Sequence, residues 1–268
     1  MPSTLQRKNN ISIEGNTDAK QTLLFAHGFG TDQSAWHDVK QAFKDDYRLV
    51  LYDNVGGGKA DPDAYSPIKY STLNSYADDL LEIVTAFELN DAIVIAHSVS
   101  SMITLLASVK APECFSKLVF VSASPRYLND ESDNYVGGFT QTALDSMYQA
   151  MTTNYYAWAS GFSAAAMGNA HKPELGEHFA STLSEVRPDI ALSVSKVIFE
   201  SDVRKELGKL QKQILLLQTQ RDIAVPAQVA EYLNQHINNS SLQYLEAEGH
   251  FPHISAPAEV IKALKTFI

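Results

Sequence analysis

Apolar residues along the chain follow two alternating patterns. Six short runs, at 22–26, 48–52, 92–96, 117–121, 214–218 and 242–246, are rich in Val, Ile, Leu and Phe, and most are nearly unbroken. A strand with one solvated face alternates apolar and polar positions. A run without that alternation fits a strand buried on both faces, as in a parallel sheet covered by helices. Between the runs the apolar positions recur every three or four residues. Leu73, Tyr76, Ala77, Leu80, Leu81, Val84 and Phe87 mark one stripe and Met102, Leu105, Leu106 and Val109 another. Val229, Leu233 and Ile237 mark a third, and Val260, Ile261, Leu264 and Ile268 a fourth. Such spacing lines one side of a helix. Strands alternating with helices predict an α/β fold with a mostly parallel, doubly wound sheet.

The alternation stops near Arg126 and resumes after Gly208. The interval shows helical spacing without strand candidates and carries Tyr148, Tyr155, Tyr156, Trp158, Phe162 and Phe179. It is too long for a simple crossover. Ligands of open α/β sheets bind at the carboxyl ends of the strands, so the expectation is a helical lid at 126–208 over a core at 1–125 and 209–268, all one domain. A plain extra helical layer is the alternative.

Composition narrows the partners. The net charge is -10 with no Lys/Arg run, which disfavours nucleic acid and anionic membrane surfaces. The stretch Met1 to Asn10 has no apolar segment, and no segment approaches the roughly 20 apolar residues of a membrane span, so a cytoplasmic location is expected. The lone cysteine, Cys114, cannot form an internal disulfide and is expected to be a buried structural thiol. No His, Cys and carboxylate cluster has metal-site spacing, and no cofactor is expected.

The chemistry is concentrated at the ends of the runs. Ile93-Val94-Ile95-Ala96-His97-Ser98-Val99-Ser100 carries a serine directly between a strand and a helix. A sharp strand-turn-helix of this kind exposes a nucleophile and requires small residues two before and two after it. Here Ala96 and Ser100 stand where the G-x-S-x-G pattern has glycines. The competing reading is an ordinary serine cap of a helix. His27-Gly28-Phe29-Gly30 follows the first run, where a loop can contribute one backbone N–H of an oxyanion hole and the residue after the nucleophile the other. Phe29 and Val99 are the expected donors.

Asp222 follows the fifth run and His250 the sixth. An acid there can orient a histidine, and a histidine there can take a proton from Ser98 and return it to the leaving group. The order Ser98, Asp222, His250 is that of α/β-hydrolases. His253 is the alternative base. Asp53 is expected to fix the loop 54–58, His27 and His97 to pack or hydrogen-bond, and Asp78-Asp79 to form a solvated face.

Several longer stretches are more specific than the triad pattern: 27–36 (HGFGTDQSAW), 122–130 (SASPRYLND), Gly137-Gly138-Phe139, 154–158 (NYYAW) and 249–253 (GHFPH). With them the chain resembles the RsbQ-type α/β-hydrolases, a family that includes a bacterial stress-response regulator and the plant karrikin and strigolactone receptors. The resemblance implies a four-helix, V-shaped lid over an apolar pocket, lined here by Phe29, Val99, Tyr127, Phe139, Trp158 and Phe162. It implies hydrolysis of a small hydrophobic ester or lactone, or ligand sensing coupled to a regulatory protein partner with slow turnover. Members commonly have glycine where this chain has Ala96. A dehalogenase would use aspartate in place of Ser98. The triad alone does not separate an esterase from a cofactor-free dioxygenase or hydroxynitrile lyase.

Overall fold

The computed structural model describes residues 3–268; Met1 and Pro2, the start of the N-terminal stretch read above, lie outside it. A short helix α1 (Thr4–Lys8) precedes seven strands: β1 (Ser12–Gly15), β2 (Thr22–Ala26), β3 (Arg48–Tyr52), β4 (Ala92–His97), β5 (Phe115–Val121), β6 (Gln213–Arg221) and β7 (Ser240–Glu248). They form one sheet in the order β1-β3-β2-β4-β5-β6-β7. All neighbours pair in parallel except β1 and β3. Six strands match the apolar runs, some one to four residues longer. Strand β1 has no counterpart among them. Its sequence is Ser-Ile-Glu-Gly at a half-exposed edge, so it carries no long apolar signal and is defined by its pairing with β3.

The unbroken runs are explained by the two cores. Leu24, Val50, Val94, Leu118 and Leu216 face one side with helices α3 (Leu73–Ala86), α4 (Val99–Lys110) and α9 (Ala227–His236). Leu23, Phe25, Leu49, Leu51, Ile93, Ile95, Val119 and Val121 face the other, where Val39 of α2 (His37–Gln41) and Val260 and Leu264 of α11 (Pro257–Phe267) pack. Every residue of β4 is buried, so both sides of the strand need apolar side chains.

Four helices, α5 (Gln141–Thr153), α6 (Tyr155–Met167), α7 (Pro173–Glu185) and α8 (Pro188–Phe199), stand between β5 and β6. Asn154 ends α5 and caps α6 through its side chain, and a proline opens each of α7 and α8, where its missing N–H has no helical partner to lose. The two roots of this insertion are joined. Val203 N–H donates to the Pro125 carbonyl at 3.0 Å, Arg126 pairs with Asp202 at 2.6 Å, and Arg204 with Asp130 at 2.8 Å.

Two expectations are corrected here. Asp78 and Asp79 do not share a solvated face. Asp78 is exposed and pairs with Lys110, but Asp79 is buried and accepts from Lys8 Nζ and Tyr70 Oη, each at 2.7 Å. Helix periodicity alone cannot show a carboxylate that turns inward to a partner 71 residues away. Cys114 is half-buried, in a short turn before β5, where burial and then Glu113 raise its thiol pKa. Among the described residues no helix is long and apolar enough to cross a membrane.

Candidate active site

The chain runs from β2 to β3 on one side and then returns to place β4 on the other side of β2. Loops leaving β2 and β4 therefore part at a switch point of the sheet, where such folds form their crevice. Ala26 and Ala96 are paired at the last rung. The His27–Gly30 loop and the Ser98 turn consequently emerge side by side.

Ser98 has φ +55° and ψ -126°, a conformation that costs a non-glycine residue about 1–3 kcal/mol. The surroundings enforce it. Ser98 N–H donates to the Val121 carbonyl at 2.8 Å, and Ser101 Oγ donates to the Ala96 carbonyl at 2.9 Å. Neither Ala96 nor Ser100 has a positive φ, so neither position requires glycine for its backbone. Ser100 also forms bonds that glycine could not: its hydroxyl donates to the His27 carbonyl at 2.5 Å and accepts from Asn54 Nδ2 at 3.0 Å.

Ser98 Oγ lies 2.8 Å from His250 Nε2, and His250 Nδ1 lies 2.8 Å from Asp222 Oδ2. With Nδ1–H donating to the carboxylate, Nε2 is the free acceptor that faces the hydroxyl. The Asp222 side chain is fully buried, and its second oxygen accepts from the amides of Ala224 and Val225 at 2.8 and 3.1 Å. The loop after β6 thus holds the carboxylate before the histidine reaches it. Gly249 sets the path into His250. Its φ is +84°, and a β-carbon there would fall 1.9 Å from the Met167 carbonyl oxygen. His250 N–H then donates to the Ala166 carbonyl at 2.7 Å.

His253 sits away from this chain of hydrogen bonds. It is buried against Trp36, with ring centroids 4.3 Å apart, and neither ring nitrogen has a protein partner. Burial first, then His250 and His27, brings its pKa down to about 3. Asp53 holds the following loop as expected, accepting from Lys59 N–H at 2.8 Å, and it also accepts from Gln33 N–H.

Val99 is the first residue of α4, so its N–H has no partner within the helix. Phe29 lies in the adjoining loop, which touches Ser98: a β-carbon on Gly28 would come within 3.2 Å of Ser98 Cβ. Thr182 of α7 secures the same loop by donating to the Gly30 carbonyl at 2.9 Å.

The cavity over Ser98 measures about 20 Å³, room for little more than one water. Phe29, Tyr127 and Phe162 line it. So do His97, Ala224 and Phe251, next to Ser98, Asp222 and His250, and Ile198 and Phe199 of α8, which periodicity and motif could not indicate because helix packing brings them in. Val99 lines a neighbouring apolar chamber of about 30 Å³ that shares Phe29 and Ile198. Trp158 and Phe139 stand one layer back. Trp158 stacks on Phe162 at 5.1 Å, and Phe139 packs edge-on against Tyr127 and Phe199. Tyr127 Oη is 3.2 Å from Ser98 Oγ. Burial raises the phenol pKa and the Asp222 charge adds to it, outweighing the opposing bond to Ser98, so the hydroxyl keeps its proton.

Residues 21–257 match the family described as the alpha/beta hydrolase fold. The chain belongs to the α/β-hydrolase family. Among its relatives, this hydrolase is 44% identical to a strigolactone esterase of Pisum sativum over 257 residues, 96% of this chain and 95% of that protein. It is 43% identical to the karrikin insensitive 2 receptor CA of Petunia hybrida over 261 residues, covering 97% and 95%. A solved hydrolase structure from Oleispira antarctica superposes with a TM-score of 0.94 at 32% identity, covering 98% of this hydrolase and 96% of that chain.

Proposed function

We propose that this α/β-hydrolase cleaves a small hydrophobic ester or lactone with Ser98 as nucleophile. The supporting observation is the continuous hydrogen-bond line from Ser98 Oγ through His250 to Asp222, with both separations at 2.8 Å. His250 takes the Ser98 proton as the hydroxyl attacks the carbonyl carbon, and Asp222 stabilises the imidazolium that forms. The amides of Phe29 and Val99 receive the oxyanion. His250 then delivers its proton to the leaving alcohol, and water attacks the acyl group by the same route in reverse. No cofactor takes part in this reaction.

In this reading the protein is one domain, with a core at 1–125 and 209–268 and a lid at 126–208 that excludes water from the acyl-enzyme. The cavity over Ser98 is water-sized, so a substrate reaches it as the lid helices part. The apolar walls favour an uncharged ligand. The likeness to a protein named as a receptor supports a second reading, in which the bound ligand alters the lid face and a regulatory protein partner reads that change. A cytoplasmic site of action belongs to the same proposal, because the single cysteine forms no disulfide on which the fold would depend.

The test is hydrolysis of p-nitrophenyl acetate and butyrate by the native protein and by Ser98→Ala. The expected loss is at least about 10³-fold in kcat. A folded Ser98→Ala protein with native turnover would remove Ser98 from the mechanism.

A further inference from the structure

His97 immediately precedes the nucleophile and is fully buried. Its ring lies 4.8 Å from that of His250, 4.9 Å from Phe251 and 4.4 Å from His253. Nε2 is 2.8 Å from the backbone carbonyl oxygen of His250. A carbonyl only accepts, so the His97 proton resides on Nε2 and the tautomer is fixed. Nδ1 is then a bare acceptor, and it has no partner among the described residues. A β-carbon on Gly28 would fall 2.4 Å from that nitrogen, which means the oxyanion loop rests directly on the ring.

One imidazole therefore joins three parts of the site. The chain itself attaches it to Ser98, a hydrogen bond attaches it to the backbone of the base, and close contact attaches it to the loop carrying Phe29. A buried nitrogen without a partner costs stability. A phenyl ring would fill nearly the same space among these aromatic neighbours without that cost. The side chain is explained by its Nε2–H, which is the part bonded to His250. That bond acts on a short segment: the Gly249 N–H donates to the Arg221 carbonyl and the His250 N–H to the Ala166 carbonyl, each at 2.7 Å. The His97 bond holds the other side of the same residue and ties it to the strand that carries the nucleophile.

We propose that His97 is a positioning residue, whose Nε2–H holds the His250 backbone so that the imidazole of His250 stays in register with Ser98. This rests on the hydrolase reading above for its kinetic consequence, though not for the hydrogen bond itself. Burial and the neighbouring His253, His250 and His27 lower the His97 pKa, in keeping with a neutral ring that acts as a donor.

Two measurements test it. Ring-nitrogen NMR of native protein labelled with ¹⁵N-histidine reads the tautomer directly, with or without turnover. The expected result is a neutral His97 with its proton on Nε2 at about pH 7 to 8; an Nδ1–H tautomer overturns the proposal. Kinetics with p-nitrophenyl acetate then compare two variants. His97→Phe keeps the shape but lacks the donor and is expected to lose about 10- to 100-fold in kcat, with KM within about twofold; the His250 carbonyl it leaves without a donor is expected to lower Tm by a few degrees. His97→Gln places an amide donor near the same point and is expected to recover most of kcat. A fully active His97→Phe, or equal losses in both variants, overturns the positioning role. An inactive native protein would instead count against the hydrolase reading and leave the NMR result to decide on the hydrogen bond.

Discussion

Ser100 shows how a departure from a motif acquires a role of its own. The elbow tolerates it because its φ is not positive, and its hydroxyl links α4 to the carbonyl of His27 and to Asn54. Ser100→Gly restores the more usual residue but removes both bonds, one to the loop that carries Phe29. The loss of a buried hydrogen bond costs about 0.5–1.5 kcal/mol, and the added chain freedom of glycine in a helix about 0.5–1 kcal/mol. Thermal unfolding of Ser100→Gly is accordingly expected to occur a few degrees below the native protein, and an equal or higher Tm would show that the serine contributes nothing there. Ser98, Asp222 and His250, which the structure joins by hydrogen bonds, were legible as a candidate set because each follows an apolar run. His253 differs from His250 by only three positions, and the separation of their roles came from packing: one ring reaches Ser98 and the other stacks on Trp36.

At the scale of elements, the helical insertion between β5 and β6 is held by its roots. Arg204 pairs with Asp202 and Asp130 at 2.8 Å each, with Asp133 at 3.2 Å, and lies over the Tyr135 ring. Its side chain is only 11% exposed, so the pairs are not an ordinary solvated surface contact. Arg204→Ala leaves Arg126 as the cation beside Asp202 and Asp130 and removes one of the ties between the loop after β5 and the segment after α8. Limited proteolysis is expected to cut the variant faster within 126–139 and 200–208, at rates several-fold above native. Unchanged cleavage there would mean that the Arg126–Asp202 pair and the backbone bond from Val203 to Pro125 are sufficient. The existence of the helical insertion was legible in its aromatic, strand-free sequence. The placement of Ile198 and Phe199 against the Ser98 cavity was not, because the rotation of α8 depends on the helices it packs on.

For the whole molecule, acid is the sensitive direction. Burial lowers the pKa of His97 below the ordinary value of 6.5, and brings that of His253 to about 3. Below pH 6.5 the unfolded chain binds protons at both positions that the folded chain refuses. Stability is therefore fully present above pH 6.5 and declines as pH falls toward 3, by up to about 1.4 kcal/mol per pH unit for each ring. Tm measured from pH 7 to pH 5 should fall, and His253→Phe, which can keep a ring against Trp36, should fall less steeply. Parallel curves for the two proteins would exclude a contribution from His253.

The sequence by itself determined the class of fold and the candidates for the triad, Ser98, Asp222 and His250, with His253 as the alternative base. Both are written in local order: short runs without apolar and polar alternation suit interior strands, and a serine, an acid and a histidine that each follow a strand of one parallel sheet emerge on the same edge. Tertiary structure decided what depends on partners distant along the chain. It paired the weakly apolar β1 with β3, and it buried Asp79 against Lys8 and Tyr70. It also chose between two histidines, set the walls of the cavity, and joined His97 to the backbone of His250 across 153 residues. Periodicity records which side of an element is apolar; it holds no information about which distant atom that side will meet.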